Sequence, residues 1–215
     1  MSKKKTEPVA QDTVEPVKRK KVIRGYSPAQ VREMTVEKYE FTDKYERIFG
    51  KPGVRSIYLL QGGAKSGKST FSICFAEYLS QWGRVFYVSA EEDVRGDTFQ
   101  ERIISNNINS EKIRCYHITN IETIDAKVKT GGFRFVFIDS IQACNLTYEQ
   151  FIEMHEKYRK RKIFWVLVSQ VGVNVTKFKH LVTAIMEVDK GKLTVASRNV
   201  KAGKYSAMSN EQTLF

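Results

Sequence analysis

The chain has 215 residues, of which 41% are hydrophobic and 12% aromatic, enough apolar side chain to bury a core and in keeping with one domain plus appendages. Lys and Arg number 36 against 24 Asp and Glu, a formal charge of +12, which favours phosphate-rich partners such as nucleic acid without identifying one. Cys74, Cys115 and Cys144 form an odd set without CxxC spacing, which speaks against a zinc site or a disulfide framework; with no signal-peptide pattern and no apolar run of membrane-spanning length, a soluble cytoplasmic protein with reduced thiols is expected.

Residues 1–26 carry Lys3-Lys4-Lys5 and Lys18-Arg19-Lys20-Lys21 with Pro8 and Pro16 and few large apolar residues. They read as a disordered basic arm, either solubilising or in contact with nucleic acid. Ser27-Pro28 has the form of a helix cap followed by a first-turn proline, and Val31, Met34, Val36 and Tyr39 predict a helical face over 29–39. A helical segment is therefore expected over 27–52, ending at the breakers Gly50, Pro52 and Gly53. The nucleotide domain is expected over 53–215.

Ile57-Tyr58-Leu59-Leu60 is a strand-like run that empties into Gly62-Gly63-Ala64-Lys65-Ser66-Gly67-Lys68-Ser69-Thr70, and the helical pattern of Phe71, Ile73, Phe75, Ala76 and Leu79 follows. This meets G-x-x-x-x-G-K-[ST] in the strand-loop-helix context that a phosphate-binding loop requires. Glycine at 62, 63 and 67 lets successive N–H groups turn onto phosphate oxygens at a helix N-terminus. Lys68 would reach the β and γ phosphates of ATP, and the Ser69 hydroxyl would hold Mg²⁺.

Beyond the loop, strand-like and helix-like stretches alternate. Helices are predicted over 68–81, 98–105, 121–128 and 148–159, and strands over 85–88, 113–118, 133–138 and 163–168. The pattern is that of an α/β fold, a mostly parallel central sheet with helices on both faces. Ile185 and Glu187, then Leu193, Val195 and Ser197, suggest two further strands turning at 189–192, an antiparallel edge at the C-terminal end.

Three strand ends carry polar residues suited to an ATPase site. Phe135 to Ile138 runs into Asp139, placed to accept from Ser69 or from a Mg²⁺-bound water; the plainer alternative is a helix cap. Val88-Ser89-Ala90 runs into Glu91, Glu92 and Asp93. Glu91 is the candidate to orient the attacking water, with Glu92 as substitute and a solvated acidic turn as the bland alternative. Val168-Ser169 runs into Gln170, which could bond the γ-phosphate or its water and report its loss to residues 171–179. Tyr148, Phe151 and Tyr158 lie near basic residues at helical spacing, which suits core packing at least as well as base stacking.

In order, the phosphate loop, Tyr87-Val88-Ser89-Ala90-Glu91-Glu92, Phe137-Ile138-Asp139-Ser140-Ile141-Gln142 and Lys179-His180-Leu181-Val182 resemble the RecA-type P-loop ATPase core, in the form found in the bacterial RadA/Sms family. Leu167-Val168-Ser169-Gln170 is instead similar to the replicative helicase DnaB. The resemblance implies a RecA-like fold, Mg²⁺-dependent ATP hydrolysis, work on DNA in recombination or replication with single-stranded DNA the expected form, and homo-oligomers built as rings or filaments. It assigns Lys68 and Ser69 to phosphate and metal, Asp139 to the metal shell and Glu91 to catalysis. The zinc finger and protease-like domain of RadA/Sms have no counterpart in these residues. Arg198-Asn199-Val200-Lys201-Ala202-Gly203 stands imperfectly where that family has Lys-Asn-Arg-Phe-Gly, which makes Arg198 and Lys201 candidates to reach a neighbouring subunit's γ-phosphate or, alternatively, guards of an edge strand. Glu211 to Phe215 loosely resembles a sliding-clamp docking peptide, with a frayed terminus as the simpler account. A nucleotide-switched loader or adaptor with little turnover is the functional alternative. A small-molecule kinase would also need an acceptor site and lid, for which the sequence offers no candidate.

Overall fold

The computed structural model describes residues 25–171, 175–198 and 203–206. The described residues fall into two compact units that divide after Thr35. In the first, Ser27 caps the short helix α1 (Pro28–Glu33) through a reciprocal capping box with Gln30, and none of its residues is buried. The predicted helix over 29–39 is therefore cut to six residues. Met34 is already extended, and Lys38 instead makes a bridge with Gly53.

The second unit is built on an eight-stranded sheet in the order β3-β2-β4-β5-β1-β6-β7-β8. Its strands are β1 (Ile57–Gly62), β2 (Val85–Ser89), β3 (Ile113–Tyr116), β4 (Phe135–Asp139), β5 (Phe164–Gln170), β6 (Ala184–Asp189), β7 (Lys192–Ser197) and β8 (Gly203–Ser206). From β3 through β6 the pairs are parallel; β7 and β8 close the edge antiparallel. The α/β expectation with an antiparallel C-terminal edge holds, with one refinement: β6 lies parallel to β1, so the antiparallel edge starts one strand later than a simple hairpin added to the sheet would place it.

Side chains alternate across the sheet with period two. Tyr58, Leu60, Tyr87, Phe137 and Val166 face the core beneath α2 (Asp43–Phe49), α3 (Lys68–Leu79) and α4 (Asp97–Ser105). Ile57, Leu59, Phe86, Ile138 and Trp165 face the second core beneath α5 (Ile121–Gly131), α6 (Tyr148–Lys157) and α7 (Thr176–Leu181). A sheet covered on both faces explains why β1, β2 and β4 are buried from end to end.

Residues 36–52, expected to precede the nucleotide domain, pack into its first core. Tyr39, Phe41, Tyr45, Ile48 and Phe49 are all buried there. Phe41 meets Phe75 and Tyr78 of α3 edge-on, and the rings of Tyr45 and Tyr78 stack with centroids 4.0 Å apart. Phe151 and Tyr158 are buried as well, and Tyr148 packs against Phe178, so these aromatics serve the core and are not a base-stacking face.

If the 36–52 segment is integral to the domain, Phe41→Ala will cost about 3–5 kcal/mol of unfolding free energy. Urea denaturation followed by circular dichroism measures the loss; a change under about 0.5 kcal/mol would show the segment to be peripheral.

Candidate functional site

The parallel strands finish nearly level. Gly62 of β1 pairs with Gln170 of β5, and Ser89 of β2 pairs with Asp139 of β4, so the residues that leave these strands share one end of the sheet. The phosphate-loop motif departs from β1 there. A Cβ on Gly62 would lie 2.5 Å from both the Val188 carbonyl oxygen and the Ser66 Oγ, a contact that only glycine avoids. Gly67 takes φ 100° as α3 begins, the left-handed region that glycine enters without strain. Gly63, Ala64 and Lys65 are exposed, while Lys68, Ser69 and Thr70 are half-buried in the first turn. The Lys68 Nζ donates to the Gly63 carbonyl at 2.7 Å, arching the side chain back over the loop.

Asp139 is buried at the end of β4, only 7% exposed, and the peptide bond that follows it is cis. The Tyr87 hydroxyl donates to its Oδ2 at 3.1 Å. Burial pushes the carboxyl pKa up, the bonded hydroxyls of Ser69 and Tyr87 draw it back, and the neighbouring Glu91 charge raises it again.

The acidic run after β2 divides among partners. Glu92 pairs with Arg102 of α4 at 2.6 Å, and Asp93 pairs with Arg95 at 3.0 Å. Glu91 instead turns across the strand ends: its Oε1 accepts from the Ser140 Oγ at 2.5 Å and from the Gln170 Nε2 at 3.3 Å. Glu91 therefore joins Gln170 to Ser140, the residue that follows Asp139 in the chain. Gln142 donates to the Ser169 Oγ at 2.7 Å.

Reasoning from sequence assigned no role to Ser140, Gln142, Tyr87, Ser72 or Arg102. Tyr87, Ser140 and Gln142 stand inside the stretches Tyr87 to Glu92 and Phe137 to Gln142, so a signal was present for them; Ser72 and Arg102 reach the site through the packing of α3 and α4. The candidates in the C-terminal basic motif separate: a guanidinium nitrogen of Arg198 donates to the His180 carbonyl at 3.0 Å, and Lys201 lies outside the described residues. Residues 1–24 of the basic arm and residues 211–215 of the docking-type peptide also lie outside them. Of residues 171–179, expected as a loop after Gln170, those from Thr176 onward belong to α7, where Lys177 pairs with Glu149 at 2.6 Å. The three cysteines are unpaired, and burial pushes the Cys115 and Cys144 thiols up to about 11 and about 12.

No family model matches the chain. Among solved structures, a KaiC-like protein of the hyperthermophilic archaeon Pyrococcus horikoshii superposes with TM-score 0.62 at 16% identity, covering 80% of this chain and 94% of that one. The flagellar accessory protein FlaH of Methanocaldococcus jannaschii gives TM-score 0.60 at 13% identity, covering 80% and 95%. The core is RecA-like. In sequence, this RecA-like core is 36% identical over 103 residues to the DNA repair protein RadA of Streptococcus pneumoniae, a match that takes in 46% of this chain and 24% of that protein. The RadA protein of Chlamydia pneumoniae is 37% identical over 100 residues, 46% of this chain and 22% of that one. The chain thus spans about a quarter of the length of these curated relatives.

The residues of the RecA-like core fit a magnesium nucleotide. The buried Ser66 Oγ has no partner, and the first N–H groups of α3 have none within the helix. Among the described residues no three His, Cys, Asp or Glu side chains converge on a metal cage. Ser69, half-buried in the first turn of α3, and Asp139, buried at the end of β4, would supply part of a Mg²⁺ shell. No helix among the described residues is long and apolar enough to cross a membrane.

Asp139→Asn will raise the thermal midpoint of the nucleotide-free protein near neutral pH, because it removes a charge whose burial the fold penalises. The raised folded pKa sets the sign: the favourable contribution of the protonated acid is complete below the unfolded pKa and is lost as pH rises through the folded one. Scanning fluorimetry of both proteins from pH 4 to 8 checks this, with the gap between them expected to widen as pH rises.

Proposed function

We propose that the chain binds and hydrolyses ATP with Mg²⁺ and acts on DNA in recombination or replication, with single-stranded DNA as its substrate and a homo-oligomer as its working form. One observation carries the hydrolytic part: Glu91 reaches Ser140 and Gln170 across the strand ends, while Glu92 and Asp93 are held by arginines. The DNA part rests on the partial likeness to proteins named for DNA repair and on the +12 charge.

Gly62, Gly63, Ala64, Lys65, Ser66, Gly67 and Thr70 would form the backbone cradle for the phosphates, and Lys68 would exchange the Gly63 carbonyl for phosphate oxygens. Ser69 would hold Mg²⁺, with Asp139 accepting from its shell. The metal, when bound, neutralises charge that builds on the phosphoryl oxygens. Glu91 would orient the attacking water and take up its proton, and Gln170, already bonded to Glu91, would transmit the phosphate state to the residues after β5.

Under this proposal the wild-type protein hydrolyses ATP faster with single-stranded DNA, and Lys68→Ala abolishes turnover. Glu91→Gln lowers the rate by about 10²- to 10⁴-fold while retaining ATP binding. A phosphate-release assay with and without single-stranded DNA, beside a mass measurement in solution with ATP, tests all three points. Tight ATP binding with negligible turnover that Glu91→Gln leaves unchanged would favour the nucleotide-switched adaptor instead.

A further inference from the structure

Beneath the loop, the side chains of Ser72, Tyr87 and Asp139 and the main-chain carbonyl of Ser69 form a line of hydrogen bonds that ties α3 to β2 and β4. The Ser72 Oγ lies 2.6 Å from the Tyr87 Oη and 3.1 Å from the Ser69 carbonyl oxygen. The Tyr87 Oη lies 3.1 Å from the Asp139 Oδ2, and the Ser69 hydroxyl also draws the Asp139 carboxyl pKa down. Tyr87 is 1% exposed and Ser72 is fully buried, so water cannot substitute for a missing partner.

Proton supply orders this line. Tyrosine and serine have one hydroxyl proton each, and a carboxylate or a carbonyl can only accept. With the Tyr87 proton on Asp139, the Ser72 proton is shared between the Tyr87 Oη at 2.6 Å and the Ser69 carbonyl at 3.1 Å, and donation to the nearer Tyr87 runs the chain from Ser72 through Tyr87 to the acid. Two hydroxyls of different kinds, Tyr87 and Ser69, act on the Asp139 carboxyl. Ser69 sits in the first turn of α3, half-buried beside the loop, and is the residue that would turn to Mg²⁺. Tyr87 is sealed in the core and has no such second task. Once Ser69 turns away, Tyr87 is the hydroxyl that still fixes the carboxylate.

We infer that Tyr87 is a positioning residue for the Mg²⁺ shell: by bonding one oxygen of Asp139 it aims the other at the metal side of the loop, and Ser72 holds Tyr87 in the donating orientation. The inference rests on the magnesium-nucleotide reading of the loop. Tyr87→Phe removes one oxygen atom and keeps the ring that stacks on Phe137 with centroids 5.7 Å apart, so packing is preserved while Oδ2 loses its donor.

Binding of a fluorescent ATP analogue, titrated with Mg²⁺ and repeated in EDTA, separates positioning from packing. Tyr87→Phe is expected to raise the Mg²⁺ concentration that gives half-maximal tightening by about tenfold, the scale on which partners of metal-site residues act, with affinity in EDTA unchanged. Ser72→Ala is expected to move it the same way by less, and it carries the test should Tyr87→Phe fail to fold. A wild-type Mg²⁺ midpoint in the folded variants, or equal losses with Mg²⁺ and with EDTA, would overturn the inference. Wild-type binding indifferent to Mg²⁺ would overturn the magnesium-nucleotide reading itself, and the inference with it.

Discussion

A parallel sheet buried on both faces has no surface on which to place polar chemistry except its ends. Every residue of β1, β2 and β4 is buried, and each strand gives alternate side chains to two separate apolar cores. The backbone polar groups of these strands are satisfied by the ladder, but the ladder stops at Gly62, Ser89, Asp139 and Gln170. Past those positions N–H groups and carboxylates become available at one level of the molecule. The phosphate loop, the acidic turn after β2, Asp139 and Gln170 are neighbours because the strands that carry them finish together.

That arrangement has an electrostatic cost at Asp139. Its burial favours the protonated acid, and an ionised carboxylate persists in such a place only when hydroxyl donors surround it. Arg102 contributes from farther away, lowering the Asp139 pKa while forming an ion pair with Glu92. Charges around the loop are thus shared out: Glu92 and Asp93 are tied to arginines, and Glu91 is left to Ser140 and Gln170.

The aromatic layer under α3 bears on the same end of the sheet. Tyr39, Phe41, Tyr45 and Phe49 wedge against Phe75, Tyr78 and Trp82, and the main chain at Thr42 is bonded to the Tyr78 hydroxyl at 2.7 Å. The rings meet the second half of α3, at Phe75 and Tyr78, and so anchor the helix whose first turns carry Lys68, Ser69 and Ser72. Pre-organisation of this kind is what a phosphate site needs, since donors that must be ordered on binding give up affinity to entropy.

The sequence by itself determined the alternation of strands and helices, the loop from Gly62 to Thr70, and the identity of Glu91, Asp139 and Gln170 as strand-end polar residues, because local periodicity and glycine spacing are written in consecutive positions. It misjudged residues 34–39: the apolar spacing of Val31, Met34, Val36 and Tyr39 suits a helix, yet the chain leaves the helix at Met34, with Lys38 bridged to Gly53 and Tyr39 and Phe41 buried, a long-range gain that local propensity cannot register. Only tertiary structure decided which acid of Glu91, Glu92 and Asp93 faces the strand ends, because that choice depends on Arg102 arriving from α4 and Ser140 from β4. It also decided that Ser72, Tyr87 and Asp139, fifteen and fifty-two positions apart along the chain, share one line of hydrogen bonds, a proximity set by the order β2-β4-β5-β1 and by no pattern in the linear chain.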